Sequence, residues 1–158
     1  MSKGPIRVYA DTSVFGGVFD EEFQQASRVF FDQVRGGRFL LLTSGTVEEE
    51  IEGAPVTVRE FFVSMAPWMH ILESTEETLA LRVAYLEAGI LSPKSAADAL
   101  HVATATTGGA SMIVSWNFVH LVHFDKIRLY NAVNALKGFG EIAIYSPPEV
   151  VRYENENI

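Results

Sequence analysis

The spacing of apolar positions changes along the chain, and each change marks an element. Residues 6–10, Ile-Arg-Val-Tyr-Ala, read as a short strand. Between 23 and 35, Phe23, Ala26, Phe30 and Val34 recur at helical spacing, and Gly36-Gly37 stops the pattern. Residues 38–43 contain Phe39-Leu40-Leu41-Leu42, apolar on both faces, as a buried parallel strand requires. Two short helices are expected over 47–52 and 55–65, with Gly53 between them, then a third strand at 69–72. Ser74-x-x-Glu77 reads as a capping box for a helix over 78–87 that ends at Gly89. Ser92 reads as the cap of another helix, with Pro93 at its first position, running through Ala96, Ala97, Leu100 and Ala103 to Thr107. A fourth strand at 111–114, a helix at 126–137 and a last strand at 142–145 complete the order. Strands alternating with helices predict an α/β fold with a parallel sheet covered on both faces.

No repeat, low-complexity segment or long linker interrupts this order. The 158 residues therefore read as a single domain over 1–150, with a short polar tail at 151–158. Hydrophobic residues at 48% and charged residues at 20% exclude a disordered or coiled-coil chain. The absence of cysteine excludes disulfides, thiolate metal sites and thiol nucleophiles. No apolar run approaches the roughly 18 residues that span a bilayer, and residues 1–7 do not resemble a signal peptide. A soluble cytoplasmic protein with no membrane association is expected. The net charge of -8 argues against a broad electrostatic footprint for nucleic acid.

In an open parallel sheet, ligands bind beyond the carboxyl ends of the strands, where the strand order reverses. The first strand runs into Asp11-Thr12-Ser13. The second reaches Ser44 and a helix bearing Glu48-Glu49-Glu50, and the fourth reaches Ser115-Trp116-Asn117. Asp98 stands among alanines on an apolar helix, where an unpaired carboxylate is costly to bury. On local pattern Asp11 is as readily a helix cap as a functional acid. Thr46-x-x-Glu49 reads as a capping box, which gives Glu49 a structural task. Glu50 then has no local partner and lies nearer the buried side, so it is the site candidate, with Glu49 as the fallback. Asn117 reads equally as a turn residue. His120 and His123 read as ordinary histidines, since a pair at i and i+3 lacks a third zinc ligand. Trp68, Trp116 and the phenylalanines read as core.

Four segments together resemble the PIN-domain nuclease family. They are Val8-Tyr9-Ala10-Asp11-Thr12-Ser13-Val14-Phe15, Thr43-Ser44 through Glu50-Ile51, Ala96-Ala97-Asp98-Ala99-Leu100-His101-Val102-Ala103-Thr104-Ala105, and Ile113-Val114-Ser115-Trp116-Asn117-Phe118. The likeness reaches nearly the whole chain, and Ala-Asp-Ala-Leu-His-x-Ala is its most specific part. It implies a three-layer α/β/α sandwich with a central, mainly parallel sheet of four to five strands. It also implies that Asp11, Glu50 and Asp98 form an acidic triad that holds Mg²⁺ or Mn²⁺. Asn117 is carried over as a fourth catalytic position, where many members have Asp. Ser13 and Ser115 are carried over as hydrogen-bonding helpers at the cofactor site.

The implied activity is metal-dependent hydrolysis of RNA phosphodiester bonds. The implied partners are an antitoxin protein of the VapBC type and a second copy of the chain. Phe61, Phe62, Met65 and Trp68 are expected to form the apolar patch of that homodimer. Hard oxygen ligands without His or Cys select Mg²⁺ or Mn²⁺ over zinc. A bound cation also reduces the negative field that an RNA substrate meets. Lys94, Lys126 and Arg128 are expected near the site end of the sheet, with Arg35 and Arg38 at the opposite end. Two rival readings are a non-catalytic PIN-like module that binds metal, nucleotide or protein, and a receiver-like phosphoryl acceptor. The second needs adjacent acids after the first strand, and Asp11-Thr12 supplies one.

Overall fold

The computed structural model describes residues 4–153. Five strands form one sheet: β1 (Ile6–Ala10), β2 (Phe39–Ser44), β3 (Met69–Leu72), β4 (Met112–Val114) and β5 (Ala143–Tyr145). Every pairing is parallel, in the order β3-β2-β1-β4-β5. The chain steps outward from β1 to β2 and β3, then returns to the other side of β1 for β4 and β5. The strand order therefore reverses between β1 and β4, which opens a crevice beyond their carboxyl ends.

Helices cover both faces of the sheet. Contacts join α1 (Thr12–Gly17), α2 (Gln24–Arg35), α4 (Val56–Ser64) and α8 (Pro147–Val150) into one group. They join α5 (Glu76–Glu87), α6 (Ala96–Thr107) and α7 (Phe124–Leu136) into another. The helix α3 (Gly45–Glu52) touches α1 and α4 on one side and α6 on the other. Val8, Tyr9, Ala10, Leu41, Ile113 and Val114 are fully buried at the centre, consistent with runs that are apolar on both faces. Ala99 and Ala103 are also fully buried, so α6 packs closely on the sheet. Among the described residues no helix is long and apolar enough to cross a membrane.

The element order matches the expected alternation, but three helix starts do not. The α3 helix begins at Gly45, and its cap is Ser44, whose side chain accepts from Val47 N–H. Thr46 lies inside the helix, so Thr46-x-x-Glu49 is not a capping box. Likewise the cap of α5 is Thr75, reciprocated by Thr78, rather than Ser74 with Glu77. Ser92 starts only a 3₁₀ turn over Pro93–Ser95, and α6 follows it. Two short helices, α1 and α8, have no apolar period and were not expected.

The proposed dimer patch also fails. Met65 is fully buried, and Phe61 and Phe62 pack edge-on against Phe15 and Phe31. Only Trp68 of the four is exposed, and Arg35 lies over its ring. An aromatic-rich helix on a small sheet is used first to fill the core. At the end of the described chain, Val151 is buried and Arg152 exchanges hydrogen bonds with Gln33 of α2. The rest of the polar tail, and Met1 to Lys3 of the amino terminus, lie outside the described residues.

Candidate active site

The end of β1 delivers Asp11 to the crevice, and only 4% of its surface is exposed. Its Oδ1 accepts from Ser13 N–H at 3.1 Å and from Ser13 Oγ at 2.6 Å. Its Oδ2 accepts from Ser115 Oγ at 2.6 Å. Asp11 is thus the cap of α1, as its local pattern suggested, and stands at the switch point as well. The two serines that hold it are themselves held: Ser13 Oγ accepts from Trp116 N–H and Ser115 Oγ from Asn117 N–H, each at 2.9 Å. Trp116 stacks on Phe23 and donates its indole N–H to Ser27, which pins the loop after β4 to the helical layer.

Glu50 projects from α3 toward α1 and α6. Its Oε1 accepts from Thr12 Oγ1 at 2.7 Å and meets His101 Nε2 at 2.8 Å. Asp98 opens α6, and its Oδ2 meets His120 Nδ1 at 2.7 Å. Asn117 closes a turn: its Oδ1 accepts from His120 N–H at 2.9 Å. Glu49 is exposed and lines a groove with Glu48, Ile71 and Leu100, away from Glu50's partners. Of the expected cations, Lys126 donates to the Ile90 carbonyl and Arg128 lies over Phe124.

The electrostatics tie the three acids together. Burial raises the Asp11 carboxyl above its ordinary range, opposed by the His101 charge and the serine hydrogen bonds and reinforced by Glu50. The hydrogen bond from His101 holds Glu50 low, with Thr12 helping and burial opposing. Burial alone would lower His101, but its bond to Glu50 and the charges of Asp11, Glu50 and Asp98 outweigh it and raise the imidazole. One buried histidine therefore feels all three acids.

Sequence reasoning missed both histidines that engage the acids. His101 carried no assignment, and His120 was read as ordinary but bonds Asp98. Their partners lie 51 and 22 residues away, so no local spacing marks them. Tyr9, Ser44 and Thr12 were missed for the same reason.

The donor chemistry fits Mg²⁺ or Mn²⁺. The crevice offers hard carboxylate oxygens, Glu50 Oε2 and Asp98 Oδ1 accept no hydrogen bond among the described residues, and burial disfavours the charged form of Asp11, which a cation would relieve. As the side chains stand, no three His, Asp or Glu among the described residues close on one point as a ligand set.

Neither a family model nor a curated protein matches this sequence. Solved structures do match in shape. VapBC2 from Rickettsia felis, bound to a DNA fragment from its promoter, aligns with a TM-score of 0.58 at 10% identity, over 89% of this chain and 98% of that one. FitAB bound to an IR36 DNA fragment aligns with a TM-score of 0.60 at 14% identity, over 94% and 99%. FitAcB from Neisseria gonorrhoeae aligns with a TM-score of 0.58 at 13% identity, over 90% and 99%. At these identities the likeness is one of fold: the chain has the PIN-type α/β arrangement over nearly its whole length.

Proposed function

We propose that this chain is a metal-dependent endoribonuclease and the toxin of a type II toxin–antitoxin pair, acting in the cytoplasm. The observation that carries the reading is the buried His101, which hydrogen-bonds Glu50 and feels the charges of Asp11 and Asp98, at the switch point of a PIN-type sheet. Asp11, Glu50 and Asp98 would hold Mg²⁺ or Mn²⁺. Bound there, the ion supplies positive charge that stabilises a phosphodiester in transit and makes a water more acidic. Ser13 and Ser115 orient Asp11 by donating to separate oxygens. Asn117 shapes the loop that holds Ser115 and His120. The antitoxin is proposed from the fold neighbours, which are complexes with VapB and FitA. A homodimer belongs to the same reading.

The test is cleavage of RNA by purified protein with Mg²⁺ or Mn²⁺. Wild type should cleave, EDTA should stop it, and Asp98→Asn should abolish it with the melting temperature retained.

One observation favours a second reading, a non-catalytic PIN-like binding module. Glu50 and Asp98 are each already paired with a histidine, and no three ligands converge among the described residues. Calorimetry with Mn²⁺ and no cleavage of any RNA by wild type would select it.

A further inference from the structure

Glu50 lies on an exposed turn of α3, yet one of its oxygens is held by two donors. An ionised carboxylate has no proton to give, so His101 Nε2 is the donor whether the imidazole is neutral or charged. Behind it, His101 Nδ1 meets the Tyr9 hydroxyl at 2.7 Å, and Tyr9 meets Ser44 Oγ at 2.7 Å. Ser44 Oγ in turn accepts from Val47 N–H at 3.3 Å. Ser44 is the cap of α3, the helix that carries Glu50. The chain of bonds therefore leaves α3 at its cap, passes through β1 and α6, and returns to α3 at Glu50.

Tyr9 is fully buried, Ser44 is 1% exposed and His101 is 2% exposed, so water does not compete for these bonds. Three polar side chains in the centre of a small core carry a desolvation cost that apolar residues of similar size would not. Their mutual hydrogen bonds and the cap of α3 offset that cost. The chain also achieves a defined pose for Glu50, with Oε1 occupied and Oε2 without a hydrogen-bond partner among the described residues.

We propose that His101 is a positioning residue for Glu50, fixing Oε1 so that Oε2 is presented to a divalent cation at the acidic crevice. The inference rests on the metal-site reading above. His101 acts through Glu50 and touches neither substrate nor ion.

The experiment is Mn²⁺ titration calorimetry, with melting curves of the same metal-free samples, on wild type, His101→Gln, His101→Ala and Thr12→Val. Glutamine offers an amide N–H near the place of Nε2 and nothing for Tyr9. His101→Ala should weaken Mn²⁺ binding by roughly tenfold to a hundredfold, the loss typical of partners that orient metal ligands. His101→Gln should recover most of that affinity while its melting temperature stays below wild type. Thr12→Val, which removes the other donor and leaves the buried chain alone, should weaken binding by a smaller factor. Wild-type affinity in the His101 variants, with only the melting temperature lowered, overturns the proposal. Should His101→Ala not fold, His101→Phe, which keeps the ring and offers no donor, takes its place: a loss of affinity that His101→Gln recovers supports the proposal, and wild-type affinity in His101→Phe refutes it.

If wild type itself takes up no Mn²⁺, the metal reading falls separately. The positioning role is then read from ¹⁵N NMR of the metal-free imidazole. An Nε2–H protected from exchange, and exposed in Glu50→Ala, supports it; an Nε2–H that exchanges freely in wild type refutes it.

Discussion

Ser115 donates a hydroxyl hydrogen bond to Asp11 across 2.6 Å, and this bond joins the ends of β4 and β1 at the point where the strand order reverses. The two residues are 104 positions apart. Ser13 holds the other carboxylate oxygen, so Asp11 is oriented from both sides before any ligand arrives. A buried acid held this way is pre-organised but electrostatically unfavourable, because burial and Glu50 both disfavour its charged form.

That tension predicts a trade between stability and binding. Asp11→Asn keeps the shape and removes the buried charge. In EDTA its melting temperature should equal or exceed that of wild type, while Mn²⁺ binding should be lost. A clear drop in the metal-free melting temperature would show that the carboxylate stabilises the fold.

Two adjacent glycines in α1 should respond in opposite directions. A Cβ at Gly16 meets nothing within 4 Å, whereas one at Gly17 falls 2.5 Å from Ser27 Oγ and 2.7 Å from Trp116 Nε1. Gly16→Ala should stabilise by up to about 1 kcal/mol through helix propensity. Gly17→Ala should destabilise by about 1–3 kcal/mol, because Trp116 and Ser27 must shift. Urea unfolding checks both. Equal effects would mean that the Trp116 loop gives way freely.

Much of this architecture was legible along the chain. Ile6–Ala10 was read at its true bounds, because Val8, Tyr9 and Ala10 are buried on both faces and form an apolar run that stops at Asp11. The acids at the crevice were legible because strand ends and a lone Asp among alanines are local signals. Cap positions were less so: Ser44, Thr46, Ser74 and Thr75 all fit the side-chain requirement, and tertiary packing chose Ser44 and Thr75. The partners of the acids were not legible at all. Tyr9 and His101 meet across 92 residues, and no spacing rule reaches that far.

The metal-free protein should lose stability on the alkaline side, and His101 should be the cause. Its folded pKa is raised above its ordinary 6.5, so its contribution is fully present below 6.5 and is lost as pH rises through the raised value. Glu50 works at the other limit. The His101 bond holds it below its ordinary 4.5, so its contribution is present above 4.5 and is lost as pH falls through the lowered value. Asp11 has the opposite sign to Glu50: burial raises it above 3.8, so its contribution is present below 3.8 and is lost as pH rises. Scanning calorimetry in EDTA from pH 5 upward should show a falling limb above pH 6.5 that His101→Gln flattens. Identical limbs in the two proteins would remove His101 from the account.

Glu49 and Glu50 of α3 give the last prediction, and the observed cap sets its terms. With Ser44 as cap, Glu49 is exposed and its side chain makes no hydrogen bond among the described residues. Glu49→Gln should therefore leave melting temperature, Mn²⁺ affinity and cleavage unchanged. Ser44→Ala should cost about 1 kcal/mol, the usual loss of an N-cap, and more if Tyr9 finds no new partner. Glu50→Gln still accepts from Thr12 and His101 but loses its charge. Because the fold favours the ionised form, the melting temperature should fall modestly at pH 7. Mn²⁺ binding and cleavage should fall far more. Thermal melts, calorimetry and an RNA cleavage assay on the three variants separate these signatures. Loss of metal binding in Glu49→Gln with retention in Glu50→Gln would move the ligand one residue along the helix.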